Sequence, residues 1–239
     1  MPAPPPFCSS ARALLTFLLY FPFIYLDLIA SNYAVVRWNL LPEAQKRPLP
    51  DVVHDNFAFY ENHTYLKEWP LVILYVIVIF GFILPHDVLS HPRKNYRRHT
   101  SLIHFFETRI VLEFIRSCTV FLTSTSDPLG LSCVDVESST IENIYTHWTF
   151  ARCGDNIYSG HVGQLLSLVF FIQTYIIQGN SLLKTILLWT TAILLSFYVI
   201  VSRLHYTVDV VLAWFLVSSV WVAWYTVSGS GPEIKSKDS

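Results

Sequence analysis

The residues of this chain best suited to chemistry fall in two short blocks. The first is Cys153-Gly154-Asp155-Asn156-Ile157-Tyr158-Ser159-Gly160-His161-Val162-Gly163, and it holds three of only eight glycines. Glycine clustered at the start of an apolar run marks backbone that approaches something closely. Ser159 and Gly160 in front of His161 put that imidazole at a helix N-terminus. Free N–H groups and the helix dipole there favour an anion such as phosphate. The second block is Arg203-Leu204-His205-Tyr206-Thr207-Val208-Asp209. The i, i+4 spacing sets His205 and Asp209 on one helix face, so the carboxylate holds one ring nitrogen and leaves the other free. Such a pair serves as a nucleophile or as a general base. Each block alone has a plainer alternative: an interfacial histidine for the first, a structural His–Asp pair for the second.

The elements that must position these blocks are membrane helices. Of 239 residues, 53% are apolar and 14% charged, against about 25% charged in an ordinary soluble domain. Apolar runs cover 13–30, 69–85, 101–122, 160–178, 185–202 and 207–226, each of a length that crosses a bilayer. The expected fold class is therefore all-α, a polytopic membrane protein with six transmembrane helices. The expected domains are an N-tail at 1–12, a membrane catalytic domain at 13–226 and a C-tail at 227–239, both tails disordered and cytosolic. A net charge of -1 gives no basic field for nucleic acid.

Arg93, Lys94, Arg97 and Arg98 crowd the 86–100 loop, which the positive-inside rule places in the cytosol. The long polar segments 31–68 and 123–159 then form a cap on the opposite side. Asn62-His63-Thr64 in that cap is a glycosylation acceptor. Runs 160–178 and 207–226 are separated by one span, so they share direction, and His161 and His205 share depth and face. Two histidines and an aspartate at one membrane mouth suit phosphoryl transfer on a lipid. One imidazole attacks phosphorus, and the other protonates the departing oxygen. Cys133 and Cys153 fall in the same non-cytosolic segment, where a disulfide is expected to clamp the stretch between them. Arg109, Glu113 and Arg116 lie on one face of the third run as a buried ladder. Asp27 in the first run has no evident partner. No HExxH or paired CxxC spacing occurs, so neither metal nor cofactor is expected.

Cys-Gly-Asp-x3-Ser-Gly-His at 153–161 and His-Tyr-Thr-x-Asp at 205–209 resemble the two signature blocks of sphingomyelin synthases, a branch of the lipid phosphate phosphatase superfamily. Two further blocks match: Pro48-Leu49-Pro50-Asp51, and Arg116-x-x-Thr119-x-x-x-Thr123. The resemblance covers about residues 13–226 and departs at Ser-Gly-His-Val, where many relatives read Ser-Gly-His-Thr. It implies a lipid-phosphate-phosphatase-like core with catalytic His161, His205 and Asp209. His205 is the implied nucleophile, Asp209 its orienting carboxylate, and His161 the acid and then the base. Asp155 and Glu142 are implied candidates for a wider acid–histidine network, and Arg116 for a phosphate contact.

The reaction so implied moves phosphocholine from phosphatidylcholine to the primary hydroxyl of ceramide through a phosphohistidine, yielding sphingomyelin and diacylglycerol. The alternatives are the same transfer with phosphoethanolamine or phosphoinositol, and a phosphatase or phospholipase C-type hydrolysis. The Lys-x6-Arg-Pro block usual in the phosphatases is missing. A non-enzymatic transporter or scaffold needs polar groups near mid-membrane, whereas the polar groups here gather at one mouth. The expected location is the Golgi membrane, with endoplasmic reticulum and plasma membrane as alternatives, and the site on the lumenal or extracellular side. The expected partners are ceramide, a glycerophospholipid and diacylglycerol, with a homo-oligomer as an option for the assembly.

Overall fold

The computed structural model describes residues 6–59, 64–83, 98–123, 125–133, 153–155, 157–177 and 181–227. Every regular element among them is helical. The order is α1 (Pro6–Leu40), a 3₁₀ turn (Glu43–Lys46), α2 (Val52–Asn56), α3 (Thr64–Ile83), α4 (Arg98–Leu122), a second 3₁₀ turn (Gly130–Ser132), α5 (Gly160–Phe171), α6 (Leu182–Val201) and α7 (Thr207–Val227). Glu142, Asn62 and the basic residues Arg93, Lys94 and Arg97 lie outside the described residues.

The long helices follow the apolar runs, with one substantial difference. Helix α1 begins at Pro6 and continues to Leu40, where a run of 13–30 preceded by a disordered tail was expected. Nothing in Ser31-Asn32-Tyr33-Ala34-Val35-Val36-Arg37-Trp38 interrupts a helix, and the next proline after Pro22, which α1 carries inside it, is Pro42. Its 35 residues give a length of about 52 Å, well beyond a hydrocarbon core of about 30 Å. The end of α1 therefore stands within the supposed cap, and Ser31 and Arg37 ride on helix instead of loop. Arg37 uses that reach to donate to carbonyls at the end of α4 and just past it, Phe121 O at 2.8 Å and Thr123 O among them. A cation at a helix C-terminus satisfies carbonyls that the helix itself leaves open.

Among the described residues three helices are long and apolar enough to cross a membrane: Ala11–Leu40, Leu182–Val201 and Thr207–Val227. They mark an integral membrane protein. Glu68–Phe80 and Gly160–Ile176 are apolar but shorter. Large apolar side chains face outward on several helices: Leu15 and Leu18 on α1, Ile73 and Phe80 on α3, Leu187 and Leu194 on α6, Val211 and Phe215 on α7. Such a belt is what a lipid environment covers.

Helix α5 sits at the centre, against α3, α4, α6 and α7. Val162, Leu165, Leu166, Leu168, Val169 and Phe171 are all fully enclosed, as expected of a helix that is apolar on every side. Helix α1 packs along α4. There Ala30 and Ala34 meet Val120, and small residues allow the two backbones to approach closely. At the end away from the two histidine blocks, Glu107 of α4 accepts from Arg12 of α1 at 2.7 Å and from the Trp224 indole of α7 at 2.8 Å. One carboxylate thus ties three helices together. A π-turn (Ile172–Ile176) closes α5. Its Tyr175 hydroxyl meets the buried His104 ring, which stacks on Trp224 with centroids 3.8 Å apart.

Candidate active site

Each histidine is positioned by the start of a helix. Helix α5 begins at Gly160 with Ser159 as its cap, whose hydroxyl oxygen accepts from the Val162 N–H. His161 is therefore in the first turn of the central helix. Helix α7 begins at Thr207, and Asp209 in its first turn accepts from the Tyr206 N–H at 2.9 Å. This is the carboxylate half of a capping box, and the same Asp209 Oδ2 lies 3.6 Å from His205 Nδ1. That separation is too long for a hydrogen bond. Among the described residues the buried Nδ1 has no hydrogen-bond partner. Catalytic hydrogen bonds commonly tighten only when substrate arrives.

The two blocks are joined directly. The Ser159 N–H donates to the Asp209 carbonyl at 3.4 Å, so the cap of α5 rests on the first turn of α7. The rings of His161 and His205 stand 6.5 Å apart, centre to centre. A phosphorus atom between two reacting nitrogens, each about 3–3.5 Å away, needs a gap of this order. His205 and Asp209 are buried, while His161 is partly open. His161 Nε2 is 3.6 Å from Glu68 Oε1 at the start of α3. Each imidazole thus has a carboxylate beside it.

Glu68 is the residue that sequence reasoning missed. The available signal was an acidic side chain at the outer edge of an apolar run, next to Trp69-Pro70. Of the supporting candidates, Asp155 is beside Arg116 and not beside a histidine. Arg116 pairs through one amino group with Asp155 and through the other with Asp27 of α1. Ser31 donates to the same Asp155 carboxylate at 2.8 Å. Asp27 thus has the partner that the sequence did not reveal. Arg116 parts company with the expected ladder, since Glu113 is paired with Arg109. Arg109 also reaches Tyr20 and Ser167. Trp69, next to Glu68 in α3, is 61% exposed.

Glycine is required at two places in the first block. Gly154 has φ +80°, with the Ala34 carbonyl 3.3 Å from where a Cβ would stand. Its left-handed turn delivers Asp155 to Arg116, and other residues adopt that conformation only with strain. Gly163 lies under the Tyr158 ring, whose hydroxyl leaves no room for an added Cβ. Cys133 and Cys153 are joined in a disulfide with Cα atoms 5.8 Å apart. Asp127 lies near the two sulfurs, which the disulfide already occupies; it accepts from the Gly154 N–H at 3.4 Å. Reducing the disulfide is expected to cost about 3 kcal/mol, the chain-entropy value for a loop of this size. Thermal unfolding in detergent with and without reductant measures it, and an unchanged midpoint contradicts it.

Asp51, in the Pro48-Leu49-Pro50-Asp51 block, caps α2 by accepting from the Val53 and His54 N–H groups. It also accepts from the Thr207 N–H at 2.7 Å and the Thr207 hydroxyl at 2.8 Å. Burial pushes its carboxyl upward, but these hydrogen bonds outweigh burial and hold it below the ordinary aspartate value. Its stabilising contribution is therefore complete above that ordinary value and is lost as pH falls through the lowered one. Burial raises the neighbouring Tyr206 phenol. That hydroxyl accepts from the Leu49 N–H at 2.9 Å and lies 3.1 Å from Ser126 Oγ.

Known proteins share this part of the sequence. Residues 152–227, which contain both histidine blocks, match the family model described as PAP2 superfamily C-terminal. The phosphatidylinositol:ceramide inositolphosphotransferase 2 of Arabidopsis thaliana is 33% identical over 67% of this chain and 53% of its own length. The sphingomyelin synthase-related protein 1 of Homo sapiens is 28% identical over 84% of this chain and 49% of its own. The phosphatidylcholine:ceramide cholinephosphotransferase 1 of Caenorhabditis elegans is 32% identical over 35% of this chain and 18% of its own. The chain spans about half the length, or less, of these curated relatives. Both histidine blocks, which face each other at the start of α5 and α7, lie inside the stretch that matches the PAP2 superfamily C-terminal model, and the chain is similar to ceramide phosphotransferases and to sphingomyelin synthase-related proteins.

Proposed function

We propose that this protein transfers a phosphorylated headgroup from a glycerophospholipid to the primary hydroxyl of ceramide. The observation that carries the reading is the pair of imidazoles 6.5 Å apart, each at the head of a helix and each beside a carboxylate. In the first half-reaction His205 Nε2 attacks the donor phosphorus while Asp209 holds Nδ1 and stabilises the developing positive charge. The bond from phosphorus to the diacylglycerol oxygen breaks, and His161 protonates that oxygen as it leaves. In the second, the now neutral His161 takes the proton from the ceramide hydroxyl, whose oxygen displaces His205 from phosphorus. Glu68 balances the charge on His161 as it alternates between acid and base. Diacylglycerol and the phosphosphingolipid are the products, and both histidines return to their starting state.

Six membrane-crossing helices with α5 at their centre, in a lipid-phosphate-phosphatase-like arrangement, form the scaffold of this reading, with flanking tails as minor domains. The Cys133–Cys153 bond supports a lumenal or extracellular mouth, since disulfides persist in oxidising compartments; a Golgi membrane meets that condition. Choline is the headgroup favoured by the His-Tyr-Thr-Val-Asp-Val-Val stretch. Inositol is favoured by the plant relative, which aligns over far more of the chain than the cholinephosphotransferase does.

The deciding experiment offers purified protein ceramide with labelled phosphatidylcholine, phosphatidylinositol or phosphatidylethanolamine in separate reactions. Label in a phosphosphingolipid from at least one donor is the expected result, and the donor that gives it names the headgroup. Label only in the free phospho-alcohol indicates hydrolysis. No label transfer from any donor overturns the reading.

A further inference from the structure

The two residues that follow His205 are each gripped by one distant loop. Leu49 donates its N–H to the Tyr206 hydroxyl at 2.9 Å. Asp51 accepts from both the N–H and the hydroxyl of Thr207, at 2.7 and 2.8 Å. The segment behind this loop is anchored in turn on the other side of the His205 turn. His54 Nε2 is 3.0 Å from the Ile200 carbonyl at the end of α6, and Arg203 donates to the His54 carbonyl at 3.3 Å. Arg203 itself has φ +53°, a left-handed conformation that costs a non-glycine residue energy and persists only when its surroundings over-determine it. The turn from α6 to α7 that carries His205 is thus braced from both ends by residues 49–54.

Resting on the phosphotransfer reading above, we infer that Asp51 is a positioning residue for the reaction, setting the place of the His205–Asp209 pair through Thr207. Two oxygens of one rigidly capped carboxylate fix two donors of one residue, which defines the direction of the first turn of α7. Asp209 projects from that turn, and its Oδ2 stands 3.6 Å from His205 Nδ1. A small rotation of the turn lengthens that approach and turns the free nitrogen away from phosphorus. Displacements near 1 Å at a reacting group cost about 10²-fold in rate. Asp51 touches no reacting atom in this account, so its loss lowers kcat and leaves KM for both lipids in place.

The test compares Asp51→Ala, Asp51→Asn and Thr207→Val with the unaltered protein and with His205→Ala. Asparagine caps a helix as well as aspartate does, so Asp51→Asn keeps α2 while weakening the grip on Thr207. Expected are a kcat lowered about 10²-fold in Asp51→Ala and about tenfold in Asp51→Asn, with KM unchanged within a factor of two. Asp51→Asn combined with Thr207→Val is expected to be little slower than the worse single variant, since both act through the same contact. Trapped phosphoenzyme is expected to form more slowly by the same factor as kcat falls. An unchanged kcat in Asp51→Ala, a raised KM with normal kcat, or multiplicative losses in the double variant each overturn the positioning role. Full transfer by His205→Ala overturns the underlying reading instead, so the two failures are told apart.

Discussion

His205→Ala is expected to reduce headgroup transfer by roughly 10⁴-fold or more, the scale seen when a covalent nucleophile is removed. His161→Ala is expected to lose about 10²–10⁴-fold, the range for a general acid–base group. The two variants should differ in kind as well as degree. Without His205 no phosphohistidine forms, whatever the donor. Without His161 the nucleophile is intact but the diacylglycerol oxygen must leave unprotonated. A donor bearing a nitrophenyl leaving group needs no proton, so it should restore phosphoenzyme formation in His161→Ala and not in His205→Ala. Rapid quench with labelled donors reads both. A phosphoenzyme in His205→Ala, or no rescue of His161→Ala by the activated donor, contradicts the assigned roles. The 6.5 Å between the rings is what makes this division of labour geometrically open to them.

Arg116→Met is expected to destabilise the protein by about 3–5 kcal/mol, the cost of leaving buried charges without their partner. Two carboxylates, Asp27 and Asp155, are involved, and all three side chains are 8% exposed or less. The effect should appear as a large fall in thermal midpoint in detergent, or as loss of expression. Adding Asp27→Asn and Asp155→Asn to Arg116→Met should recover most of the loss, because a neutral set no longer carries an uncompensated charge. A midpoint unchanged in Arg116→Met contradicts the argument. The triad also bears on the site, since it joins α1, α4 and the loop that leads into α5. The Arg116 side chain packs against Gly160, its Nε 3.1 Å from where a Cβ there would stand.

What was legible in the sequence was local. His205 and Asp209 are related within one stretch of chain, so spacing alone sets them on one face. Ser159-Gly160 announces a helix start in the residues themselves. The central place of α5 was not legible, because the runs at 69–85 and 185–202 are as free of charge as its own. What was not legible depends on which segments meet. Nothing near Glu68 says that α3 begins beside His161. Nothing near Asp27 points to Arg116, nearly ninety positions away. The Asp51 block was readable as a motif, but its grip on Thr207 spans 156 positions and exists only once α6 and α7 are side by side. The end of α1 was misjudged for a different reason. Hydropathy marks where a helix leaves the apolar layer, while the backbone of α1 carries on to Leu40, two residues before Pro42.

The disulfide has a practical corollary for making the protein. Cys153 is followed at once by the Gly154 turn and by Asp155, so the link to Cys133 tethers the residue next to the Arg116 triad. The bond forms only if the two thiols meet an oxidant during biosynthesis. Expression in a reducing compartment would accumulate chain with both thiols free. Such material would pass a size and purity check and still enter an assay short of its native cross-link. A host with an oxidising lumen or periplasm is the one to choose, and thiol titration of the purified product is the quality test to run before any kinetics.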